Sequence, residues 1–80
     1  MLSKEQIFNT IVQQTLEVLP DLEGRDFVET DSLRDLGANS IDRSEIIMMT
    51  MEELELNIPM IHMAKAENMG ELTAIMAEKQ

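Results

Sequence analysis

Eighty residues bound the protein to one domain with a modest core, because a chain of this length buries only about 60–65% of its unfolded surface. Sixteen acidic and six basic side chains give a net charge of −10, which repels nucleic acid and anionic lipid and favours partners that present Lys/Arg patches. The absence of cysteine excludes disulfides, thiolate metal sites and a protein thiol nucleophile. No apolar run approaches the ~20 residues of a membrane span and no signal-peptide pattern opens the chain, so a cytoplasmic protein is expected. Two phenylalanines, with no Trp or Tyr, offer no stacking platform for single-stranded nucleic acid. Eight methionines suit irregular cores and adaptable surfaces, and core filling is the plainer role for most of them.

Ser3-Lys4-Glu5-Gln6 fits an S-x-x-Q capping box and marks the first helix start. Ile7, Phe8, Ile11, Val12, Thr15, Leu16 and Leu19 then recur at helical spacing and predict one buried face. Pro20 ends this helix, since the residue before a proline is pushed out of the α region. From Pro20 to Asn39 runs a long acidic connection in which Asp21, Glu23, Asp26, Glu29, Asp31 and Asp35 outnumber Arg25 and Arg34. A loop of this length needs a function or apolar anchors, and Phe27, Val28, Leu33 and Leu36 are the expected anchors. Asp31 to Leu36 suits a short helical turn, while the carboxylates lack the Asp/Asn spacing and glycine of a calcium loop.

Gly37 supplies the positive φ of a tight turn, and Ser40 reads as the N-cap of a second helix running to about Leu54. Such a helix end favours an anion, including a phosphate ester on Ser40 itself. Ser44, Ile47, Met51 and Leu54 share one face and are expected to meet the core. Ile41, Glu45, Met48 and Glu52 share another, part apolar and part acidic, beginning beside Ser40 and spanning roughly 16 Å. An ordinary solvated face would also carry scattered apolar residues; a docking strip is the sharper alternative. Glu55 to Pro59 breaks the helix, and a short helical turn through Met60–Ala64 follows, with Pro59 near its first position. Asn68-Met69-Gly70-Glu71 is a second capping-box pattern, and Met69, Leu72, Ile75 and Met76 line the buried face of a last helix.

Enzymatic chemistry finds little support. Ser40 has no His, Cys or Lys nearby in sequence to act as its base, and His62, the one histidine, lies on another element. A hydrolase built from Ser40 and His62 would need turnover by the purified chain. An unmodified acidic adaptor for basic partners is the other rival, and it makes Ser40 dispensable.

The run Leu36-Gly37-Ala38-Asn39-Ser40-Ile41-Asp42 resembles the L-G-[AG]-[DN]-S-[LI]-[DE] signature of acyl carrier proteins. The match continues through Glu45, Glu52-Glu53 and Ile58-Pro59, so it covers nearly the whole chain. The resemblance implies a single acyl carrier domain over residues 1–80 with an all-α fold, a four-helix bundle of three longer helices and one short, with a long loop between helices 1 and 2. It implies a non-catalytic carrier bearing 4′-phosphopantetheine covalently on Ser40, whose thiol holds an acyl group as a thioester. A phosphopantetheinyl transferase, using coenzyme A and magnesium, is then an expected partner, and Asp42, Glu45 and Glu52 match docking positions of the family.

Asn39 stands where the family's usual residue is Asp, Ile41 where it is Leu, and Arg43 introduces a cation into a face usually neutral or acidic. With Leu33 to Ile46 and Leu56-Asn57-Ile58-Pro59, these residues resemble the discrete donor carriers of polyketide β-branching cassettes. That resemblance implies an acetyl or malonyl donor to an HMG-CoA-synthase-like enzyme, served also by an acyltransferase and a decarboxylating ketosynthase-like enzyme. Asn39, Ile41, Asp42, Arg43, Glu45, Met48 and Glu52 would be its partner-binding residues, with Arg43, Ile41 and Met48 marking it for the synthase. No metal, nucleic acid or membrane partner is implied, and a monomer is expected. A general acyl carrier of fatty-acid or other polyketide synthesis is the alternative within the class.

Overall fold

The computed structural model describes residues 1–80, which form four α-helices and one 3₁₀ turn with no strand. Helix α1 spans Lys4–Val18, α2 Ser40–Glu53, α3 Met60–Met63 and α4 Met69–Lys79, and the 3₁₀ turn is Pro20–Leu22. α1 packs against both α2 and α4, and the short α3 packs against α4.

The expected capping box opens α1. Ser3 Oγ accepts from the Gln6 N–H at 3.1 Å, and Gln6 Oε1 accepts from the Ser3 N–H at 2.9 Å. Leu19 closes the helix by donating its N–H to the Thr15 carbonyl at 2.7 Å, and Pro20 blocks further winding. Ile7, Thr10, Ile11 and Thr15 form the buried stripe of α1.

Isoleucine and methionine dominate the core, with Ile7, Ile11, Ile46, Met69 and Met76 wholly buried. Four threonines are buried among them. Each returns its hydroxyl to its own helix one turn back: Thr10 to Gln6 at 2.9 Å, Thr15 to Ile11 at 2.7 Å, Thr50 to Ile46 at 2.8 Å and Thr73 to Met69 at 2.8 Å. A buried hydroxyl left unpaired costs about 1–3 kcal/mol, and this back-bonding avoids that cost with no cross-helix partner. The same threonines explain a shift in α2. Its buried face comprises Ile46, Thr50 and Met51, with Ile47 and Leu54 half-buried, whereas Ser44 is exposed and not in the core as the apolar spacing suggested. Thr50 counts as polar in a binary pattern yet occupies the core, so the true face is rotated from the apparent one.

The Pro20–Asn39 connection is pinned at both ends. Arg25 pairs with Asp31 at 2.9 Å and lies 5.8 Å above the Phe27 ring, while the second Asp31 oxygen accepts from the Val28 N–H at 2.8 Å. Leu33 is buried and Phe27 and Leu36 half-buried, as anchors should be. Val28 is not an anchor: it is exposed, because the Asp31 turn directs it outward. The same turn crosses the start of α4, where the Met69 N–H donates to the Asp31 carbonyl and the Gly70 N–H to the Glu29 carbonyl, both at 2.8 Å. Asn68 Oδ1 takes the Glu71 N–H at 2.8 Å, so the first three N–H groups of α4 all have acceptors. Only half of the expected capping box forms there, since the Glu71 carboxylate accepts from the Glu67 N–H at 3.0 Å and not from Asn68.

Candidate functional site

The N-terminus of α2 is built differently from that of α4. The chain approaches through a single helical turn in which the Leu36 N–H reaches the Ser32 carbonyl at 3.0 Å and the Ala38 N–H reaches the Leu33 carbonyl at 3.0 Å. This turn buries Leu33 and Ala38. Gly37 reverses it at φ 109°, in the left-handed region that a side chain would strain.

Asn39, in extended conformation at φ −75° and ψ −179°, then caps α2. Its Oδ1 accepts from the Asp42 N–H at 2.8 Å, and Asp42 Oδ2 accepts from the Asn39 N–H at 3.2 Å. Ser40 is therefore the first residue of the helix and not its N-cap. The chemistry of the third residue decides between the two. Asn39 finds an acceptor in Asp42, whereas Ser40 would have had to close its box with Arg43, which has donors only.

The displacement matters for function. As an N-cap, Ser40 would spend its hydroxyl on the backbone; as the first helical residue it is exposed, and its hydroxyl makes no intramolecular hydrogen bond. The N–H groups of Ser40 and Ile41 also have no intramolecular acceptor. Loop carbonyls fill the corresponding positions of α4. The open end of α2 thus combines a solvent-facing hydroxyl, two unpaired N–H donors and the positive end of a 14-residue helix, an arrangement suited to an anion.

Ser40 opens onto a cleft of about 810 Å³ between the 32–35 turn, the first turns of α2, α3 and the approach to α4. Ile47, Met60, Met63 and Leu72 supply apolar wall, while Arg34, Asp35, Arg43, Ser44 and Glu67 supply polar wall. His62 is half-buried on α3 and is not among the lining residues, so Ser40 and His62 do not share the cleft. Nowhere do three His, Asp or Glu side chains converge as around a metal ion.

The other residues singled out in the sequence fall into two groups. Ile41, Glu45, Met48 and Glu52 are exposed along one flank of α2, with Ile41 at 73% and Met48 at 55% exposure. Asn39 and Asp42 are occupied with each other, and Arg43 is half-buried, its Nη1 donating to the Ala38 carbonyl at 2.8 Å. That back-bond was not legible in the sequence. Ile61 on α3, 74% exposed, adds an apolar residue on the opposite rim of the cleft.

Comparison with known proteins extends these observations. The family model for a phosphopantetheine attachment site matches residues 9–76. The chain is 42% identical over 78 residues to the polyketide biosynthesis acyl-carrier-protein AcpK of Bacillus subtilis (strain 168), an alignment covering 98% of this chain and 95% of that one. It is also similar, at 50% identity and a TM-score of 0.93, to a chain in the crystal structure of the curacin biosynthetic pathway HMG synthase in complex with acetyl donor-ACP, covering 98% of this chain and 100% of that one.

Proposed function

Because this chain belongs to the acyl carrier proteins, which bear 4′-phosphopantetheine on a serine, we propose that Ser40 is the attachment residue and that the loaded protein presents an acetyl or malonyl thioester to an HMG-CoA-synthase-like enzyme for polyketide β-branching. The observation that carries the assignment to Ser40 is its position as the first residue of α2, with an exposed, unbonded hydroxyl at a helix start whose first two N–H groups are unpaired and which opens onto the cleft. The residues around it fit the group. A phosphodiester on Ser40 meets two unpaired N–H donors and the helix dipole. The adjoining cleft has room and apolar wall for the start of a pantetheine chain. When bound, phosphopantetheine supplies the thiol that holds the acyl group.

The protein's own contribution is address and presentation. Gly37 and the Asn39–Asp42 box set the height and direction of Ser40. Ile41, Glu45, Met48 and Glu52 form the outward strip against which partners dock: the carboxylates steer basic surfaces and the two apolar side chains bury on contact. Asn39, Asp42 and Arg43 shape the base of that strip. A phosphopantetheinyl transferase, an acyltransferase and a decarboxylating ketosynthase-like enzyme are further partners of the same surface. Support for the β-branching role comes from the solved relative whose partner is an HMG synthase, together with the shared pattern around Ser40.

The test is a competition among synthases. Acetyl-loaded protein is offered in parallel to an HMG-CoA-synthase-like enzyme and to a fatty-acid ketosynthase, and loss of the acetyl group is followed by intact mass. Preferential transfer to the HMG-CoA-synthase-like enzyme is expected. Equal or reversed preference would replace the donor role with that of a general acyl carrier.

A further inference from the structure

Arg43 is the only basic residue of α2, in a chain of net charge −10. It follows Ser40 by three residues, so the two side chains are neighbours on one helix face, and both line the same cleft. The arginine is half-buried, and it is held in place by the 2.8 Å bond from Nη1 to the Ala38 carbonyl. It forms no ion pair, the one salt bridge of the structure being Arg25–Asp31. A guanidinium has five N–H donors, and the backbone takes one of them. An anchored, partly desolvated cation with unspent donors therefore stands beside the hydroxyl of Ser40.

We propose that Arg43 is a phosphate clamp, whose guanidinium, braced by the Ala38 carbonyl, holds the phosphodiester of the arm on Ser40 and sets the direction in which the arm leaves the helix. This rests on Ser40 as the attachment residue. The planar fork suits two phosphate oxygens at once, and charge-assisted hydrogen bonds of this kind are the strong ones. Arg34 also lines the cleft, but it is exposed and makes no side-chain hydrogen bond that would fix it. Asp35 and Glu67 also line the cleft, and their carboxylates make its remaining wall unfavourable to an anion. Bracing from Ala38 also links the clamp to the turn that positions Ser40, so the arm and the loop beneath it share one fixed point.

The experiment compares apo and phosphopantetheine-loaded protein for wild type and Arg43→Gln, with loading of each verified by intact mass. A purely structural arginine would lower the Tm of both forms alike and leave the gain on loading unchanged. A clamp makes the gain itself depend on Arg43. The expected result is a rise of about 4 °C on loading in wild type, reduced to near zero in Arg43→Gln and weakened in wild type by added salt. The ³¹P resonance of the phosphodiester should also differ between the two loaded proteins. Equal gains with coincident ³¹P resonances would overturn the clamp, whereas absence of any mass increase in wild type would overturn the Ser40 assignment instead. If Arg43→Gln fails to fold, the wild-type Arg43 Nε–H resonance decides: a shift on loading supports the clamp and an unmoved signal refutes it.

Discussion

Replacing Gly70 by alanine opposes two effects of different sign, and the structure decides between them. Gly70 lies in the first turn of α4 at an ordinary helical φ, so propensity alone favours alanine by about 0.5–1 kcal/mol. A Cβ at this position, however, would fall 2.8 Å from Glu29 Cβ and 3.1 Å from the Glu29 carbonyl oxygen. Carbon atoms pack best at about 3.5–4.0 Å, and Glu29 Cβ is fixed to the backbone, so no rotamer change relieves the clash. The loop must lift from α4, straining or breaking the two 2.8 Å bonds that Met69 and Gly70 donate to it. At about 0.5–1.5 kcal/mol for each bond, with further cost where an N–H loses its acceptor, the loss is about 2–3 kcal/mol. The net expectation is destabilisation by about 1–2 kcal/mol, or a Tm fall of roughly 5–15 °C for a domain of this size. Urea and thermal melts of Gly70→Ala measure it. A variant as stable as wild type, or more stable, would refute the close approach of loop and helix as the reason for glycine.

Two further predictions concern α2. Asn39→Ala removes the cap and orphans the Asp42 N–H, so it should cost about 1 kcal/mol, read as a Tm fall of roughly 4–8 °C, and should slow modification of Ser40 as the first turn frays. The double variant Ile41→Ala, Met48→Ala removes exposed side chains and should leave Tm within about 3 °C, while weakening acetyl transfer to the synthase several-fold through a higher KM; an unchanged KM would remove these residues from the docking strip.

The parts of this molecule that follow from local rules were legible in the sequence. Ser3 and Gln6 announced the start of α1, Pro20 its end, and Gly37 the turn before α2. Leu33 and the apolar spacing of Met69, Leu72 and Met76 identified core positions correctly. What escaped depends on competition or on distant partners. Asn39 and Ser40 are both good caps, and the choice turned on whether residue 42 or residue 43 could accept a hydrogen bond. Thr10, Thr50 and Thr73 are missing from the expected core faces, because their burial depends on hydroxyls satisfied by carbonyls one turn back, which polarity alone does not reveal. The contact of Gly70 with Glu29 joins residues 41 positions apart in sequence, and no local pattern marks it. Arg43 folding back on Ala38 belongs to the same class, a contact made by the tertiary turn and not by helix periodicity.

Arm carriage, partner docking and the Arg43 clamp all depend on Ser40 as the attachment residue, and one measurement reaches it directly. Wild type and Ser40→Ala are incubated with coenzyme A, magnesium and a broad-specificity phosphopantetheinyl transferase, and intact mass is recorded. The expected result is addition of a single phosphopantetheine to wild type and none to Ser40→Ala, with both proteins giving the same helical spectrum. An unmodified wild type under conditions that load a control carrier, or a Ser40→Ala variant that still gains the group, would contradict it.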